Sequence, residues 1–105
     1  MRSEWYDREG KLIEDDLHGV EKLLRDKEYK RVAETTLADG KWVSTVWLGL
    51  DHSFDDEGPP LIFETMVFPS RDDLSEIDCA RYATEAEAII GHQGMVREWE
   101  KKERT

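Results

Sequence analysis

Two stretches of the chain carry large apolar and β-branched residues at nearly every position, Trp42 to Leu50 and Leu61 to Phe68. In the first, both the even positions (Trp42, Val46, Leu48, Leu50) and the odd ones (Val43, Thr45, Trp47) are bulky. That pattern predicts a central strand, covered on at least part of each face. The second stretch keeps only Glu64 and Thr65 as polar members. Pro59-Pro60 cannot donate to a ladder, so pairing is expected to begin after them, and Pro69 ends the run. Tyr29 to Leu37 reads as a further strand, with Val32 its clearest inward residue. Ala38-Asp39-Gly40-Lys41 follows it, and Asp-Gly is a strong hairpin signal. Near the start, Trp5-Tyr6-Asp7 and Lys11-Leu12-Ile13 flank Arg8-Glu9-Gly10 and read as a short hairpin, with Gly10 supplying positive φ.

Two segments change to helical spacing. Leu17, Val20 and Leu24, with Leu23 beside them, give one apolar stripe to a helix capped by Asp15 or Asp16 and running to about Lys27. Thr84 followed by Glu87 is a capping box, with Tyr82 as its staple residue. Ala86, Ile89, Ile90, Val96 and Trp99 then mark the expected buried face of the second helix. Gly91 and Gly94 weaken that helix, and close approach to the sheet is the expected compensation. Ser70 to Asp78 reads as a polar, acidic loop anchored by Leu74 and Ile77. Runs of strands joined by short turns argue for an α+β, two-layer fold. The expected architecture is an antiparallel sheet of three main strands plus an N-terminal hairpin, packed with two helices. Residues 1–105 form one domain, with a flexible tail from about residue 100.

Composition narrows the function classes. The net charge is −10, and it is unevenly placed. Residues 51–78 hold nine acids (Asp51, Asp55, Asp56, Glu57, Glu64, Asp72, Asp73, Glu76, Asp78) against one base, Arg71. Direct nucleic-acid binding needs a basic footprint that the chain does not offer. No apolar run is long enough for a membrane span, and with charges at Arg2 and Glu4 and no apolar run after them, no signal peptide is expected. The one cysteine, Cys79, cannot form an internal bridge, which fits a reducing, cytoplasmic setting. The ordinary reading of the acid cluster is a solvated surface; the sharper one is a face that meets a basic protein.

Sites of chemistry are sparse. The connector Asp51 to Pro60 gathers Asp51, His52, Phe54, Asp55, Asp56 and Glu57, but the acid spacing does not match a calcium loop. His52, His92, Cys79 and Glu64 lack zinc-like spacing. Glycine-rich phosphate loops and hydrolase signatures are absent, so no cofactor or metal is expected and an enzyme is the weaker reading. A small enzyme would use His52 with Asp51 or Glu64. The expected binding residues are Trp47, Asp51, His52, Phe54, Asp55, Asp56, Glu57, Asp72 and Asp73. They would serve a protein partner or, alternatively, a small ligand or nucleotide held at the mouth near Pro59-Pro60. A homo-oligomer closing the two-faced sheet stays open.

The block STVWLGLDHSF…GPPLIFETMVF, Ser44 to Phe68, resembles a family of small uncharacterised proteins of tailed actinobacteriophages and prophages. WYDREGK, YKRVAETT and RYATEAEAIIGH look like the flanking blocks of the same family. The resemblance implies a phage origin and a non-virion role in the host cytoplasm, and brings no catalytic residue, ligand or cofactor. The expectation is therefore a small acidic accessory protein that binds a host or phage protein, with an anti-defence or host-takeover role.

Overall fold

A computed structural model of the chain describes residues 4–14, 17–51 and 58–103. Its elements are α1 (Leu17–Arg25), α2 (Lys27–Lys30), β1 (Arg31–Thr36), β2 (Trp42–Trp47), β3 (Phe63–Phe68), β4 (Asp78–Tyr82) and α3 (Glu85–Glu103). The four strands form one antiparallel sheet in the order β1-β2-β3-β4, so the two apolar stretches are its inner pair. The α+β, two-layer expectation holds, with one more strand than the pattern predicted.

Local chemistry explains where elements stop. Gly40, at φ +96°, closes the β1–β2 turn, where the Leu37 amide donates to the Lys41 carbonyl at 2.7 Å. β2 ends at Trp47 rather than Leu50 because Gly49 sits at φ +83° between two indoles. A Cβ there would lie 2.6 Å from the Trp47 ring and 2.9 Å from that of Trp5. The chain then bends to meet the N-terminal hairpin, where the Tyr6 amide donates to the Gly49 carbonyl at 2.8 Å and Leu50 bridges Trp5. β3 begins two residues late, because the Leu61 amide donates to the Asp51 carboxylate at 2.8 Å instead of joining the ladder. The hairpin itself forms as expected. Tyr6 bridges Leu12, Gly10 takes φ +85°, and the Asp7 carboxylate accepts the amides of Glu9 and Lys11.

The helix expected to run to Lys27 instead breaks at Asp26, whose carboxylate caps α2 by accepting the Tyr29 amide at 3.1 Å. That shortens the following strand, which starts at Arg31 rather than Tyr29. β4 was read as loop and helix approach. Its sequence, Asp78-Cys79-Ala80-Arg81-Tyr82, has little apolar alternation, and it forms because the exposed edge of β3 supplies a partner.

The core lies between the sheet and α3. Val43 and Val67 pack with Met95, Leu37, Val96 and Trp99 toward one end. At the other, Trp47, Ile62 and Phe63 pack with Ala88 and are closed off by Leu23, Leu24, Ile13 and Tyr29. Trp47 is 1% exposed and meets the Tyr29 ring edge-on at 5.1 Å. Truncating Trp47 or Phe63 to alanine would cost roughly 3–5 kcal/mol.

The buried stripe of α3 differs from the expected one. Ala88, His92 and Met95 are buried, whereas Ile89 is 40% and Ile90 67% exposed. Two contacts set this rotation. Gly91 abuts Tyr82 so closely that a Cβ would lie 2.3 Å from its ring, and His92 bonds two threonines on the sheet, Thr35 and Thr45. The Thr84 half of the capping box forms, with the Glu87 amide donating to Thr84 Oγ1 at 3.1 Å, while Glu87 Oε1 accepts the Thr84 hydroxyl at 3.0 Å in place of the Thr84 amide. α3 continues to Glu103, into the segment expected to fray, helped by Lys102, whose ammonium lies 4.0 Å from the Trp99 ring centre.

Candidate binding surface

Antiparallel register sends alternate residues to opposite faces. The inner face carries Thr35, Val43, Thr45, Trp47, Phe63, Thr65 and Val67 toward α3. The outer face carries three cross-strand rows. These are Thr36–Trp42–Phe68, then Glu34–Ser44–Met66–Cys79, then Arg31–Val46–Glu64–Arg81. α3 covers only the inner face; α2 stands at one rim of the outer one, with Tyr29 turned into the core.

Arginines do what a second helix would do on the outer face. The Arg71 guanidinium lies 4.9 Å from the Trp42 ring centre, and its Nε donates to Thr36 Oγ1 at 3.3 Å. Its Nη2 is 3.5 Å from Glu34. Arg81 Nε donates to Glu64 Oε2 at 2.9 Å, and Arg31 pairs with Glu28 at 3.2 Å and Glu34 at 3.7 Å. Glu64 is only 5% exposed, and Arg81 is the ion-pair partner that meets its carboxylate. The more exposed pairs add little stability. Their effect is electrostatic: Lys27, Lys30, Arg31, Arg71 and Arg81 outnumber Glu28, Glu34 and Glu64 on this face, in a chain of net charge −10.

Beside this face runs the loop between β3 and β4. Ser70 Oγ accepts the amides of Asp72 and Asp73, at 3.2 and 3.1 Å, and Ser75 donates to the Asp73 carboxylate through both hydroxyl and amide. Those two bonds hold the Asp73 carboxyl below its ordinary range. The Ile77 amide donates to the Val67 carbonyl at 2.8 Å. The loop is thus shaped by its own hydrogen bonds, yet Leu74 is 67% and Ile77 43% exposed. They were expected to be anchors into the fold. Instead they stand outward among Asp72, Asp73, Glu76 and Asp78.

On the inner face, His92 is 5% exposed and joins a chain of hydroxyls. Its Nε2 is 2.9 Å from Thr35 Oγ1 and its Nδ1 2.7 Å from Thr45 Oγ1, which is 2.5 Å from Thr65 Oγ1. Desolvation pushes the imidazole pKa below its ordinary value. Each hydroxyl in the chain has a partner within it, which is the arrangement of a structural network.

The residues singled out from sequence fall in different places. Trp47 is core, its indole N–H donating to the Tyr6 carbonyl at 2.9 Å, and has no surface to offer a ligand. Asp51 is 3% exposed, and its carboxylate organises the start of the β3 segment. The expected mouth therefore does not open at these two residues. Asp72 and Asp73 are exposed on the loop. The cap at Asp15 or Asp16, the Leu17 side chain, and His52, Phe54, Asp55, Asp56 and Glu57 lie outside the described residues. Glu64 and Cys79 share the outer face while His92 faces inward, so the sheet itself separates His92 from the other two. Among the described residues no three His, Cys, Asp or Glu side chains are grouped as metal ligands, and no helix is long and apolar enough to cross a membrane. Sequence reasoning passed over Arg71, Lys27 and Lys30. Arg71 did carry a signal, as the single base in an acidic quarter of the chain.

Fold and surface together define a two-layer α+β domain with one helix-covered face and one left to side chains. No family model, curated protein or solved structure matches the chain.

Proposed function

We propose that this chain is a non-enzymatic binding protein that docks another protein through its β3–β4 loop. On the middle-block resemblance, we further propose that it is a phage-encoded accessory protein acting in the cytoplasm of an infected cell. The observation that carries the binding reading is the exposure of Leu74 and Ile77, 67% and 43%, on a hydrogen-bonded loop among four carboxylates. The buried core of an interface is more apolar than the surface around it, and Leu74 with Ile77 offers an exposed apolar pair to fill it. The surrounding acids supply charge complementarity to a basic partner, which raises association rates and rejects wrong partners. A loop already shaped by its own bonds has less entropy to lose on docking.

Affinity capture from infected-cell lysate tests this, with wild-type protein beside the variants Leu74→Ser/Ile77→Ser and Asp72→Asn/Asp73→Asn. One protein should be retained by wild type and lost by the first variant. The second variant should weaken its capture and blunt the dependence on salt. The first variant should melt near the wild type, since Leu74 and Ile77 are exposed, and Asp72→Asn alone separates the charge effect from the Ser75 bonds that Asp73 accepts. Finding no partner that depends on these four residues, at low or high salt, sinks the reading.

A further inference from the structure

Between α2 and the outer face of β2 lies an open groove of about 190 Å³, with Lys27, Lys30 and Arg31 on its rim and Trp42, Ser44 and Val46 on its floor. We propose that this groove binds a small organic anion, an aromatic ring bearing a carboxylate or phosphate. The inference uses residues separate from the Leu74 loop and does not depend on that loop's role.

Charge points first to an anion. Arg31 and Glu34, at the groove, pair with each other at 3.7 Å, with Arg31 also held by Glu28. Among the described residues the ammonium groups of Lys27 and Lys30 have no ion-pair partner, so the groove keeps two unbalanced positive charges. One helical turn separates them, and both point to the same rim. The floor argues for an apolar body. Trp42 and Val46 offer flat and branched hydrocarbon, and the Ser44 hydroxyl, free of partners among the described residues, offers one polar contact.

Size and overall charge exclude the larger anions. A groove of about 190 Å³ holds one ring system with its acid group. The net charge of −10 repels polyanions such as nucleic acid, whereas a small ligand meets mainly the local field within a Debye length of about 8 Å. The site also carries its own reporter. Trp42 Nε1 is buried and without a hydrogen-bond partner, while the indole N–H groups of Trp47 and Trp99 are held by the Tyr6 carbonyl and the Asp78 carboxylate. Of the four tryptophans only Trp42 is among the residues lining the groove, so its indole resonance is the one expected to respond to a ligand.

Titration of ¹⁵N-labelled protein with adenosine 5′-monophosphate and, separately, with benzoate tests the proposal; adenosine and inorganic phosphate are the controls. At least one anionic probe should shift the Trp42 indole resonance saturably, identified by its loss in Trp42→Phe, and leave those of Trp47 and Trp99 in place. Lys27→Glu/Lys30→Glu should weaken that binding by roughly tenfold or more while the melting temperature stays put. No saturable shift with either probe at millimolar concentration overturns the site. Equal binding of inorganic phosphate overturns the ring requirement, and undiminished binding by the double variant overturns the role of the lysines.

Discussion

His92 Nδ1 lies 2.7 Å from Thr45 Oγ1, beneath α3 and at the centre of the inner sheet face. The imidazole has a hydroxyl at each nitrogen, and among the described residues no carboxylate is in hydrogen-bond contact with it to compensate a positive charge. Its pKa in the folded chain is lowered by desolvation.

Folding stability should therefore depend on pH through this residue. The unfolded chain binds a proton near pH 6.5, and the folded one only at lower pH. Stability is full above the unfolded value and falls as pH drops from there toward the folded value. Urea unfolding at about pH 7.5 and about pH 5 should show the loss, and His92→Gln should reduce this difference while lowering stability at both. An unchanged pH dependence in the variant would show that other groups are responsible.

Two glycines three residues apart on α3 should respond oppositely to alanine. A Cβ on Gly91 would meet the Tyr82 ring at 2.3 Å, whereas at Gly94 the nearest group is the Arg97 guanidinium at 4.0 Å. Gly94→Ala should stabilise by roughly 0.5–1 kcal/mol through helix propensity. Gly91→Ala should destabilise by roughly 1–3 kcal/mol through overpacking. Paired thermal melts decide this, and adding Tyr82→Ala to Gly91→Ala should show positive coupling between the two sites.

Arg8 ties three elements together. Its Nε donates to Glu85 at 2.7 Å, its Nη1 to the Tyr29 carbonyl at 3.0 Å, and its own amide to the Tyr29 hydroxyl at 2.9 Å. The Glu85 bond is the main reason its pKa is raised, with burial opposing. Arg8→Ala should cost roughly 1–2 kcal/mol. Arg8→Lys should recover only part of it, because a lysine lacks the fork that reaches both acceptors. Hydrogen exchange at the Ile13 amide, which bonds the Trp5 carbonyl at 2.8 Å, should quicken in Arg8→Ala if the hairpin loosens.

Thr84→Ala removes the cap of α3 and should cost about 1 kcal/mol in urea unfolding. Glu87→Ala leaves the Thr84 hydroxyl to cap the helix and should cost less. Equal losses would mean that the carboxylate contributes more than the geometry implies.

The inner strand pair, the β1–β2 turn at Gly40, the N-terminal hairpin and the Thr84 cap were all legible, because each rests on interactions within a few residues. Close approach to the sheet was legible at Gly91, though not its partner, but the same expectation does not hold at Gly94, whose nearest group is Arg97 of the same helix. β4 was not legible, since five residues as polar as Asp78 to Tyr82 become a strand only when β3 offers an edge. The face of α3 was misread for a related reason. Ile89 and Ile90 are more apolar than His92, but Tyr82 against Gly91 and hydroxyls facing the imidazole turn the helix so that His92 points inward.

Local sequence, then, determined which segments could be strand, turn or helix start, along with the net charge and where the acids cluster. Folding decided the rest. It withdrew Trp47 and Asp51 from the surface, left Leu74 and Ile77 standing in water, and gathered Lys27, Lys30, Arg31, Arg71 and Arg81 over one sheet face from three separate parts of the chain. Hydrogen-bond patterns and turn preferences act over a few residues. Burial and charge neighbourhood are properties of the packed molecule, set by which elements meet.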